Sequence, residues 1–124
     1  MTRTARFALP LLLSMLPFSL MAEERYDHFE AKESNTLEEA VDHFSEYNAR
    51  LAQIVSQDEL SAEDLNKVHE LTYTIENALA KIQEESDAMA VALEEVHQAS
   101  ERSDAETVKS QGKQFLDSAQ TLVQ

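Results

Sequence analysis

Beyond residue 36, apolar side chains recur every three or four positions almost to the end of the chain. Leu37, Val41, Phe44, Asn48, Leu51 and Val55 alternate in steps of four and three, and Ala40, Tyr47 and Ile54 widen the stripe. That spacing predicts an amphipathic helix over 36–56. Thr36, with Glu39 three residues on, forms a capping box at its start. A second start signal is Leu60-Ser61-Ala62-Glu63-Asp64-Leu65. Ser61 caps, Asp64 answers it, and Leu60 can staple onto Leu65. From there a heptad seam runs through Leu65, Val68, Thr72, Ile75, Leu79, Ile82, Ser86, Met89, Leu93, Val96 and Ser100 without a slip. Ser103-Asp104-Ala105-Glu106 reads as a third capping box. Ala105, Val108, Gly112, Phe115, Ala119 and Leu122 then line one face of a third helix. Gly112 on that face is either a close-approach position or a tolerated one.

The pattern predicts an all-α antiparallel bundle of three helices with a long central helix, because short turns make neighbouring helices antiparallel. The first helix should pack on the first half of the central helix and the third on its second half. The turn centres put Phe44 near Tyr73, Asn48 near His69 and Met89 near Phe115. An unbroken central helix of about 40 residues spans about 60 Å. The outer two would then meet end to end near residues 80–82, in a body only two helices thick. A bend at Glu84-Glu85-Ser86-Asp87 would instead fold the chain into a four-helix bundle. No Pro or Gly marks such a break, which favours an unbroken helix and self-association along the seam.

Residues 1–22 read as a signal peptide. Arg3 and Arg6 precede an apolar stretch from Phe7 to Leu20, and Met21-Ala22 supplies a small residue before an acidic run. Pro10, Pro17 and the short apolar length argue against a membrane anchor, which needs about 20 apolar residues. Residues 23–35 are a polar arm, and 36–124 the helical domain. Both prolines of the chain lie in the leader, and Gly112 is the one glycine. Strands and tight hairpins would need more turn residues than that.

The chain carries 24 acidic and 10 basic residues, a net charge of -14. Removing Arg3 and Arg6 with the leader leaves 8 basic residues against 24 acidic and a net charge of -16. Such a chain repels nucleic acid and anionic lipid. It fits cations, basic proteins, or simple solubility.

The chemistry on offer is sparse. There is no Cys, no Gly-x-Ser-x-Gly and no glycine-rich phosphate loop, so no enzyme is expected. Four His residues stand at 28, 43, 69 and 97. Glu94 and His97 form one Glu-x-x-His pair, whereas a di-iron bundle needs two such pairs and further Glu residues. A surface carboxylate–imidazole pair is the plainer reading. His69 and His97 flank the seam. They read as hydrogen-bonded structural groups, as a layer that titrates near neutral pH, or as an interfacial metal site between two copies. Haem lacks a ligand pair, since Met89 and His97 share one helix, and no cofactor is expected. In the arm, Glu23, Glu24, Asp27, His28 and Glu30 could hold a divalent cation loosely. Arg25 occupies the position where an amino-terminal copper clip needs His.

Several segments together resemble a family of short, uncharacterised periplasmic helical proteins from Gram-negative bacteria. They are Glu24-Arg25-Tyr26-Asp27-His28-Phe29-Glu30, Phe44-Ser45-Glu46-Tyr47-Asn48, the run from Val68 to Leu79, and Leu93-Glu94-Glu95-Val96-His97. The resemblance implies a periplasmic location and carries no assigned function and no site residues. The sequence thus points to a non-enzymatic periplasmic helical protein acting through protein–protein interaction, with a second copy or another periplasmic protein as partner. The alternative is a metal-binding or metal-responsive protein using His69, His97 or the acidic arm.

Overall fold

A computed structural model describes residues 29–123. Three helices follow in order: α1, Leu37–Val55; α2, Ala62–Glu101; and α3, Ala105–Leu122. No strand occurs among the described residues. The architecture is the expected all-α three-helix bundle. α1 and α3 each pack along α2, and the two outer helices touch one another.

α2 runs 40 residues without interruption, so the four-helix alternative does not form. The acidic stretch at which a bend was the alternative is held together instead. Lys81 Nζ reaches Glu85 at 2.7 Å and Glu84 at 3.0 Å. Those two carboxylates, Glu85 first, raise the lysine's pKa. Ser86 Oγ donates to the carbonyl of Ile82 at 2.7 Å, which satisfies the hydroxyl within the helix.

The helix starts follow local chemistry. The Thr36 hydroxyl accepts the Glu39 amide at 3.1 Å, while the Glu39 carboxylate accepts from the Asn35 amide at 2.8 Å. At α2 the box closes both ways: Ser61 Oγ accepts the Asp64 amide, and Asp64 Oδ2 accepts the Ser61 amide at 3.0 Å. The third box differs from expectation. Asp104, not Ser103, is the cap of α3, accepting the Thr107 amide at 3.1 Å and the Thr107 hydroxyl at 2.7 Å. Ser103 instead ends α2 with a φ of 60°. Its neighbour's amide, Asp104, reaches back to the carbonyl of Ala99 at 2.9 Å. This is a left-handed helix end of the kind glycine usually fills.

The packing register is the expected one. Tyr47 and Arg50 lie beside Lys67, Glu70 and Leu71, and Met89 lies beside Phe115. The seam, however, is turned by about one heptad position. The residues of α2 turned inward are Leu71, Ile75, Ala78, Ile82, Glu85, Met89, Ala92, Val96 and Ala99, with Ala78, Ala92 and Ala99 buried. Half of the expected seam is therefore right, and Leu65, Leu79 and Leu93 are displaced to its edge. The small side chains take the centre because alanine lets two helix backbones approach closely. Leu37, Ala40, Tyr47 and the wholly buried Thr74 complete the core. Gly112 does not mark a close approach: a Cβ there would meet Val96 Cγ2 at 3.9 Å, an ordinary contact.

Candidate functional site

The polar arm, described from Phe29 onward, is tied to the bundle by directed bonds. The Lys32 amide donates to Thr74 Oγ1 at 3.1 Å. Asn77 Nδ2 donates to the Lys32 carbonyl at 3.2 Å and to Glu33 Oε1 at 3.3 Å. Ser34 Oγ and His43 Nδ1 share a hydrogen bond of 3.0 Å. Tyr47 sits beneath two cations, with Lys32 Nζ 5.4 Å and the Arg50 guanidinium 4.8 Å from its ring centre. Arg50 pairs with Glu46, and Lys67 pairs with Glu63 at 2.7 Å, which raises the lysine's pKa. Phe29, Tyr47, Arg50, Lys67, Glu70 and Leu71 line an open hollow of about 300 Å³.

Thr74 and Asn77 place the arm on one flank of α2. Among the described residues, the other flank has no such cover. Positions 65, 72, 79, 86, 93 and 100 form one line along the helix, and its leucines are exposed: Leu65 56%, Leu79 40%, Leu93 49%. Beside that line, Val68, Ile75, Ile82, Met89 and Val96 are half-buried. An apolar strip therefore runs from the internal seam out onto the surface. Residues 65 to 93 cover about 42 Å of helix.

The expected site residues are scattered. His69 Nε2 and the Tyr73 hydroxyl are 3.2 Å apart, with the rings edge to face. The imidazole thus bonds along its own helix to Tyr73. His97 pairs with Glu101 at 3.4 Å, not with Glu94, which accepts from Gln98 at 2.8 Å. Twenty-eight residues of helix, about 42 Å, separate His69 from His97, so a single copy cannot bring both to one ion. Among the described residues no group of three or more His, Asp or Glu is placed to hold a metal. Of the arm's candidate ligands, Glu30 is described and exposed; Glu23, Glu24, Asp27 and His28 lie outside the described residues, as does the leader. No helix among the described residues is long and apolar enough to cross a membrane.

Fold and surface together define an all-α three-helix protein whose central helix doubles as an exposed apolar ridge. The chain belongs to a family of unknown function, DUF6746, whose model matches residues 1–124. No curated protein and no solved structure matches it.

Proposed function

We propose that this is an exported, periplasmic, non-enzymatic protein that works by protein–protein contact through the flank of α2 that carries Leu65, Leu79 and Leu93. The observation that carries the reading is the exposed line Leu65, Leu79 and Leu93, continuous with the half-buried Val68, Ile75, Ile82, Met89 and Val96. Apolar side chains at heptad spacing on a long helix are what another helix packs against. Export is supported by Arg3, Arg6, the apolar stretch from Phe7 to Leu20 and Ala22. A helical partner, a second copy included, would bury the strip as α1 and α3 bury the rest of the seam.

A photo-crosslinking residue at Leu79 or Leu93 tests this in a bacterial host that exports the chain. Covalent adducts are expected from both positions and not from Glu70 on the arm side. The adduct's mass tells a second copy from a different protein. Adducts from neither position would remove the α2 flank as a contact surface.

A further inference from the structure

The charges on α2 are not spread evenly around it. Moving outward from the line of Leu65, Leu79 and Leu93, the next line is His69, Glu76, Gln83, Ala90 and His97, followed by Asn66, Tyr73, Ala80, Asp87, Glu94 and Glu101. These lines hold four exposed carboxylates, Glu76, Asp87, Glu94 and Glu101, and no Lys or Arg. Both lysines of α2 stand on the opposite flank, where Lys67 is held by Glu63 and Lys81 by Glu84 and Glu85. Among the described residues this face is therefore apolar along one edge and carries carboxylates, two histidines and no Lys or Arg along the other.

We propose that this face docks an amphipathic helix of a cationic partner protein. Leucine-type residues at i, i+3, i+4 and i+7 would lie on Leu65, Leu79 and Leu93, and Lys or Arg would lie against Glu76, Asp87 and Glu94. The proposal rests on the α2 flank being a contact surface and names what it contacts. Charge selects this occupant over a second copy. Two copies paired antiparallel on this flank would set one row of carboxylates against another, and two paired parallel would leave each row against the partner's apolar edge, with no Lys or Arg among the described residues of the face to answer them. A cationic helix both covers the leucines and neutralises the row, and complementary potential also speeds encounter.

The test uses the mature chain and a synthetic amphipathic helix of leucine and lysine, about 28 residues long to match the 42 Å strip. Its control is a scrambled peptide of the same composition, and binding is read by fluorescence anisotropy. The amphipathic peptide is expected to bind, and the scrambled one to bind at least about tenfold more weakly, as is expected when apolar register is lost from an interface. Leu79→Asp with Leu93→Asp makes the protein more acidic yet should weaken binding by a similar factor; Leu116→Asp on α3 should not. Charge reversal by Glu76→Lys, Asp87→Lys and Glu94→Lys, at exposed positions, should abolish binding. Equal or tighter binding by the Leu→Asp pair, equal binding of the scrambled peptide, or unchanged binding after charge reversal would overturn the proposal. Size-exclusion chromatography with light scattering and metal analysis on the same protein separates the two levels. A dimer dispersed by the Leu→Asp pair would replace the cationic helix with a second copy and keep the flank as an interface. A monomer that ignores the peptide, together with no crosslinks from Leu79 or Leu93, would remove both.

Discussion

Gly112→Ala should make the protein more stable. Glycine inside a helix costs about 1 kcal/mol relative to alanine, because it loses more backbone freedom on folding. That advantage is cancelled where the added methyl has no room. Here the methyl would meet Val96 Cγ2 at 3.9 Å, which is van der Waals contact without a clash, and the backbone φ is not positive. The full propensity term should therefore appear, about 0.8–1 kcal/mol, with a small gain from contact to Val96. For a domain of this size 1 kcal/mol corresponds to about 4–8 °C in Tm. Thermal melts and urea titrations followed by far-ultraviolet circular dichroism read both numbers. Ala119→Gly, on the same face of α3, supplies the reverse change and should cost about as much. A Gly112→Ala protein less stable than the parent would refute the reasoning. It would mean that α2 and α3 approach more closely at Val96 than 3.9 Å allows.

Ser103→Gly should stabilise by about 1 kcal/mol in the same melts, since a φ of 60° costs a side chain that glycine lacks. Thr74→Val should lose about 1 kcal/mol and speed hydrogen exchange at the Lys32 amide, whose partner is the buried Thr74 hydroxyl. Ala92→Leu, in the seam, should cost about 1–3 kcal/mol by overpacking, while Ala90→Leu, exposed, should be close to neutral. The cap carboxylates set a pH dependence. Hydrogen bonds from the Asn35 amide hold Glu39 below its usual pKa, those from Ser61 hold Asp64 down, and those from Thr107 hold Asp104 down. Groups depressed in the folded state contribute fully above their unfolded pKa and lose that contribution as pH falls through their folded values. Tm should therefore drop below the ordinary carboxylate range, and Asp64→Asn with Asp104→Asn should flatten that drop; an unchanged slope in the double variant would count against the caps.

Much of this was legible because the sequence is locally consistent. Thr36, Ser61, the long uninterrupted period of α2 and the near absence of Gly and Pro fix where helices start and that nothing breaks them. Turn positions then fix the register that sets Tyr47 beside Glu70 and Met89 beside Phe115. The phase of the seam was not legible. The apolar stripe on α2 is wider than one contact, and its largest members, Leu79 and Leu93, suggest a centre that the buried Ala78 and Ala92 actually occupy. Size misleads there, because close packing favours the small residue. The cap of α3 was not legible because Ser103 and Asp104 are both good caps; only backbone geometry, with Ser103 at positive φ, separates them. His97 likewise has acids on both sides, and only the rotamers decide for Glu101 over Glu94. The docking of the arm depends on single bonds from Lys32 and Asn77, which leave no periodic trace.

The mismatch between the width of the stripe and the width of the seam is also the argument for function. A body two helices thick can bury one line of α2 well, and that line is filled by small residues whose side chains contribute little area. Leucines placed one line further out would contribute more if they were turned inward, yet they are left half in water. The described part of the arm, from Phe29 onward, lies on the other flank, tied to Thr74 and Asn77. Stability and surface are thus carried by different lines of the same helix. Changes at Ala78, Ala92 or Thr74 should move Tm and leave contact with a partner intact in the protein that remains folded. Leu79→Gln with Leu93→Gln should do the opposite, ending contact while leaving the melt within about 1 kcal/mol of the parent, because glutamine matches leucine in helix propensity and its stem keeps part of the half-buried contact. If the outer leucines instead belong to the fold, the two sets will lower Tm alike, and the α2 flank will have no claim to be a contact surface.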